Sequence, residues 1–363
     1  EFRRVLFRSP AASAHLPEFF GRKFVLVGTV PPVSPPANPC GEDRAEMRRQ
    51  AADLDERLAA LEREHGAYAP SLADPAGELG ELYAAQCNHP AALDAFRRTV
   101  QVLRINEGLL TKTQLPALRA LADSSQAIGD FRSAQLTRRY ALRIHDMGLG
   151  ELSPTALRDA LAYFRHAREI FIDPRIPMDL DLFFQAYQDN VAMFERQLER
   201  ARGGEGVAYA DLKAIALSHL YNLYIVLGTD LPSSTYASDN AGWDFLLRMQ
   251  MLTYSKGLDV LEALLEQPEA AMGVERARLL LRRGNWQQWN DKPSSACDSY
   301  AAAWEASAGE DGAALRQRLA APAELPEDPA LWDYLLGPQI PVRAVVEADF
   351  RVSHRGNISR VDG

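Results

Sequence analysis

The chain is poor in cysteine, has no surplus of positive charge, and lacks the short motifs that mark common catalytic sites. Its three cysteines, Cys40, Cys87 and Cys297, are odd in number, far apart and without a CxxC. That spacing offers neither a disulfide framework nor a metal-binding knuckle. No HExxH, GxSxG, GxGxxG or GxxxxGK[ST] occurs, so helical zinc sites, nucleophile elbows and phosphate-cradling loops lack their sequence marks. The histidines (His15, His65, His89, His145, His166, His219 and His354) never fall three or four residues apart, as two ligands on one helical turn would. Each reads as a structural histidine. With 40 Lys and Arg against 49 Asp and Glu, the formal net charge is −9, which repels phosphate backbones and excludes nucleic acid as an expected partner. Long apolar runs are missing too, since residues 24–30 (FVLVGTV) fall well short of the about 20 needed to span a bilayer. No enzyme activity, cofactor or metal is expected.

What is present is helix-forming. Ala, Leu, Arg and Glu are conspicuous and hydrophobic residues make up 47%, a mixture that favours amphipathic helices. Residues 31–39 (PPVSPPANP) hold five prolines, which cannot continue a helix and read as a linker. Beyond it, residues 43–64 place Met47, Ala51, Leu54, Leu58 and Leu61 near the 3.6-residue period, predicting a helix that stops at His65-Gly66. Four further segments, 157–172, 180–200, 211–227 and 243–266, show the same periodicity. The breaks between them are Asp173-Pro174, Gly203-Gly204 and the polar stretch 229–240.

The strongest signal is a repeat. Leu79-Gly80, Tyr83, Ala92 and Phe96 are followed by Leu121-Ala122, Gly129-Asp130-Phe131, Ala134 and Ala141. A third set runs Gly284, Trp286, Ala296, Tyr300, Ala303. Small residues would let two antiparallel helices approach while aromatics fill the space between them, and Gly129 suits a left-handed helix stop. Ala92 and Ala134 lie 42 residues apart (134 − 92), so either the helices are extended or the link between repeats is enlarged, with Gly108 ending one helix before Leu115 begins the next. Arg104, Asn106 and Gln114 cluster at that link and could hydrogen-bond it. These residues, with the runs LGELY, AALDAFRRTVQVLRINEGL and GDFRSA, resemble the tetratricopeptide-repeat proteins of Gram-negative bacteria, although the usual unit of that repeat is shorter, at about 34 residues.

After residue 320 the texture changes. Pro322, Pro326, Pro329, Pro338 and Pro341 mark a second linker, and Val342, Ala344, Val346, Ala348, Phe350 and Val352 then alternate strictly, the pattern of a strand. Ser353 to Gly356 supplies turn residues, and residues 357–361 would return as a partner strand. The stretch VEADFRVSHRGNISRV resembles the start of the carboxy-terminal domain of TonB-type energy transducers, which bind outer-membrane transporters by strand addition. The first nine residues (EFRRVLFRS) resemble a translated sequencing-library adapter. No Met opens the chain, so we expect a fragment of a longer protein, truncated at both ends.

The expected fold is therefore mainly α: an antiparallel helix-pair solenoid, followed by a truncated β-hairpin of a small α/β domain. The segments are 1–9, adapter-derived; 10–42, proline-rich leader; 43–319, helical repeats; 320–341, linker; and 342–363, hairpin. The repeat resemblance implies a protein or peptide partner held in a concave groove lined by Glu81, Ala84 and Ala85 of one repeat and Arg119, Asp123 and Gln126 of the next; the alternative is that these form a solvated face. The terminal resemblance implies a periplasmic or cell-envelope protein, or alternatively an energy-transducing or transporter-docking one. Any membrane association would run through residues upstream of Glu1 or through an envelope partner. Asp179 and Asp181 read as helix-start residues, and Trp286 and Trp289 as inter-helix packing.

Overall fold

The computed structural model of the chain describes residues 44–146, 152–173, 176, 179–229, 241–320, 349–352 and 358–362. These are almost wholly helical: α1 Arg44–His65, α2 Ala73–Ala85, α3 His89–Glu107, α4 Leu115–Ala127, α5 Phe131–Asp146, α6 Pro154–Ile172, α7 Leu180–Arg202, α8 Tyr209–Gly228, α9 Ala241–Leu265, α10 Gly273–Trp289, α11 Pro293–Ala306 and α12 Ala313–Ala320. From α1 to α5 and from α8 to α11, neighbours in sequence are neighbours in space. Helices α1 to α4 each pack on the next, as do α4 and α5, and α8 to α11 likewise.

The four central segments expected from periodicity are α6 to α9, matched within a few residues at each end. Trp286 and Trp289 are buried, each edge-on to the Tyr224 ring, and Asp181 lies in the first turn of α7. Two compact units are present. Of the described residues, one unit comprises those up to Ile170 with Leu182–Ala186; the other comprises Phe171–Asp181 and those from Tyr187 onward.

Three helix pairs, α2/α3, α4/α5 and α10/α11, are built on one plan. In each, the first helix ends at a residue with left-handed φ: Cys87 (58°), Gly129 (82°) and Asp291 (56°). The next amide then donates back five residues, Asn88 to the Tyr83 carbonyl (2.8 Å), Asp130 to Ser125 (2.9 Å) and Lys292 to Gln287 (2.9 Å). This is the Schellman stop, which satisfies carbonyls that the helix end would leave open. Four residues further on sits a fully buried alanine: Ala92, Ala134 or Ala296.

Helix contact in the first pair depends on Gly80. A Cβ built there would lie 2.5 Å from the Phe96 ring, closer than carbon atoms approach. Gly284 stands in the same relation to Tyr300, and the offset from glycine to ring along the chain is the same in both pairs. The small-against-aromatic reading of the sequence is thus met by direct stacking of ring on glycine.

The links between pairs repeat as well. Gly66 and Gly108, with φ of 89° and 104°, end α1 and α3. A single 3₁₀ turn follows each, Pro70–Leu72 and Lys112–Gln114, before α2 and α4 begin. Of the three residues expected to hold the second link, Arg104 and Gln114 do so, while Asn106 bonds the first link and its own helix. Buried Gln114 donates Nε2–H to the Gly108 and Leu109 carbonyls at 3.0 and 3.1 Å and accepts from Arg104 Nε at 3.2 Å. Asn106 Nδ2 donates to the Tyr68 and Val102 carbonyls, both at 2.8 Å.

One expectation is corrected. Cys87 is disulfide-bonded, although the cysteine spacing showed no such framework. Cys297 is a free, exposed thiol. Toward the carboxy end, β1 (Asp349–Val352) and β2 (Ile358–Asp362) pair antiparallel, with Phe350 opposite Val361 and Arg351 opposite Arg360. The rest of the expected hairpin, both proline-rich linkers, the residue 1–9 segment and the loop 230–240 lie outside the described residues. Two strands do not establish the small α/β domain expected around them.

Candidate functional site

The six residues expected to line a groove fall on α2 and α4, helices that also touch each other. On α2, Glu81 is exposed and Ala84 and Ala85 are half-buried. On α4, Asp123 is exposed and Arg119 and Gln126 are half-buried. The two trios differ in how they are held.

The α4 residues are fixed by the helices that follow. Arg119 makes a forked contact with Asp159 of α6, Nε to Oδ1 at 2.8 Å and Nη2 to Oδ2 at 2.7 Å. His145 Nε2, from α5, meets the same carboxylate at 2.8 Å. Asp159 is 8% exposed, and burial alone would raise its carboxyl. The hydrogen bonds and charges of Arg119 and His145 outweigh that and hold it below its usual value. Asp123 and Gln126 in turn accept from Arg138 Nη2 of α5 at 2.8 and 2.9 Å.

Burial is the larger influence on Arg138 and lowers it, offset in part by Asp123 and Glu169. Its other terminal nitrogen, Nη1, is buried without a hydrogen-bond partner.

Behind these lies a polar seam between α5 and α6. Gln135 donates Nε2–H to the Tyr163 carbonyl at 3.3 Å, and its Oε1 faces His166 Nδ1 at 2.8 Å. Because that oxygen can only accept, His166 carries its proton on Nδ1 and presents a bare lone pair at Nε2. His166 is 2% exposed, and its Nε2 has no hydrogen-bond partner. Phe131 packs beside the ring. Burial, reinforced by the charge of Arg138, pushes His166 down to about 3.

The sequence therefore identified one half of each contact and missed the other. Arg138 follows Ala122 at the offset at which Phe96 follows Gly80 and Tyr300 follows Gly284, so its departure from the aromatic pattern was readable. Asp159, 40 residues from Arg119, carried no local signal. Among the described residues no cluster of three or more His, Cys, Asp and Glu is arranged to hold a metal, and no helix there is long and apolar enough to cross a membrane. Comparison with protein-family models and with curated proteins returns no match.

Proposed function

We propose that the chain is a protein-interaction scaffold of the tetratricopeptide-repeat type, which binds a peptide or protein segment across α2 and α4 and catalyses no reaction. The observation that carries the reading is the threefold recurrence of one helix-pair plan, with the same stop, the same buried alanine and a pair-closing side chain at the same offset from a small residue. Repetition of a packing unit, each touching its neighbours, builds extended surfaces suited to holding another chain. The six positions Glu81, Ala84, Ala85, Arg119, Asp123 and Gln126 are the proposed contact residues. The disulfide at Cys87 supports an oxidising compartment such as the periplasm.

The test uses α2, whose proposed contact residues do not carry the ion pairs that tie α4 to later helices. Peptides selected from a displayed library against the full chain should bind the Glu81→Lys and Ala84→Glu double variant about tenfold or more weakly by calorimetry, the effect of losing about 1.4 kcal/mol. Unchanged affinity would overturn this placement. A second reading, docking to an envelope transporter through added strands, is favoured by the β1–β2 pairing. It requires that removing residues 342–363 abolish binding while the helices stay folded.

A further inference from the structure

The seam between α5 and α6 is unlike the packing that precedes it. Between α1, α2 and α3 the buried hydrophobic cluster is Ala51, Leu58, Leu72, Ala73, Ala76, Leu79, Ala95 and Val102; the polar side chain buried beside it, Thr99, does not titrate, and Tyr83 is only partly buried against it and bonds Asp55. Between α5 and α6 the corresponding layer buries a histidine, its glutamine partner and part of an arginine.

From this geometry we infer that the α5/α6 seam is an acid-sensitive joint, in which a second proton on His166 undocks α6 while the α1–α3 layer stays closed. The inference rests on the proposed function and extends it by naming how its site is regulated. Asp159 lies on α6 and is the carboxylate that grips Arg119, so undocking α6 removes the internal counter-charge of a proposed contact residue and offers that guanidinium to an acidic partner.

The physical argument begins with the tautomer. His166 already donates from Nδ1 to Gln135, so an added proton must go to Nε2. There it finds no acceptor, and a buried, unpaired charged donor is strongly disfavoured. The charged groups around it give no relief from α5, where Arg138 repels a second cation. Arg138 is itself tied to Asp123 of α4. On α6, Arg165 pairs with Glu169, and Arg168 is buried nearby in sequence. At the far end of the same seam, His145 and Asp159 face each other.

Burial and Arg138 together hold the ring near 3 when α6 is docked, against about 6.5 when it is free. A group depressed in the closed state is stabilising above its free value, and that contribution drains away as pH falls from about 6.5 toward 3. Between pH 7 and pH 5 the opening constant of α6 should rise about 25-fold from this one group.

The experiment is hydrogen exchange read by mass spectrometry on the full chain at pH 7 and pH 5, corrected for the intrinsic exchange rate and with no partner present. Peptides covering residues 154–170 should lose protection by about that factor, while those covering 93–107 should not. The variants His166→Gln and His166→Phe should abolish most of the change in α6. A uniform loss of protection across both helices, no loss at all, or an undiminished rise in either folded variant would overturn the inference. If a variant does not fold at pH 7, the contrast between the two wild-type helices decides alone. Since no partner is used, this result stands apart from whether α2 and α4 bind a peptide.

Discussion

The first and second helix pairs share a backbone but not a filling. Both turn through a left-handed residue, Cys87 or Gly129, and both bury an alanine at the start of the second helix, Ala92 or Ala134. In the first pair Gly80 receives the Phe96 ring. In the second, Ala122 takes the glycine's place and Arg138 the aromatic's, and the pair closes by hydrogen bonds to Asp123 and Gln126 rather than by ring on backbone. The turn chemistry sets where the helices go; the side chain that answers the small residue from the second helix sets whether the joint is dry or polar. A dry joint contributes through area and close packing, whereas a polar one adds little net stability but fails badly when a partner is lost.

The largest expected break in that contrast comes from Phe96→Ala, which empties the dry joint. Removing a buried ring of this kind costs about 3–5 kcal/mol, and urea unfolding should show the midpoint falling accordingly. Next is Gly80→Ala. Alanine gains about 1 kcal/mol of helix propensity over glycine, yet its Cβ would collide with Phe96, so a net loss of about 1–3 kcal/mol is expected. Net stabilisation would show that the pair yields more readily than its packing implies.

A subtler test converts one joint into the other. In a double-mutant cycle of Ala122→Gly and Arg138→Phe, each change alone should destabilise, while together they should recover about 1 kcal/mol beyond additivity. Additive behaviour would mean that the two positions do not form a joint. The smallest effect belongs to the turns. Asp291 holds φ of 56°, a conformation glycine adopts without strain, so Asp291→Gly should raise stability by up to about 1 kcal/mol. Gly129→Ala should lower it by a similar amount.

Much of the fold was readable because it is written locally. Helix ends at Gly66, Gly108 and Gly129, the small residues at Gly80 and Ala92, and the aromatic at Phe96 are signals within a turn or two of what they cause. The link between α3 and α4 was readable for the same reason, since Gln114 is close in sequence to the Gly108 and Leu109 carbonyls and to the Arg104 side chain that it holds; Asn106, expected there too, instead reaches the first link. The candidate site was half readable. Arg119, Asp123 and Gln126 follow from their place on α4, but the partners that decide their chemistry, Asp159, His145 and Arg138, arrive from later helices. Buried His166 reads in sequence like any scattered histidine; only its pairing with Gln135 and its nearness to Arg138 give it a distinct chemistry.

The recurrence of Gly66 at Gly108 has a consequence for how such a chain can change in length. Both glycines follow a long helix and precede a single 3₁₀ turn. The buried Ala51 and Leu58 of α1 recur as Leu93 and Val100 of α3 at that same interval. Excising residues 66–107 would join His65 to Gly108 and so restore a junction of the kind already found at Glu107–Gly108. A deletion of one or two residues there would instead rotate every later helix off its face. Length in this part of the chain is therefore quantised: whole units can be gained or lost by recombination between like sequences, and fractional ones cannot.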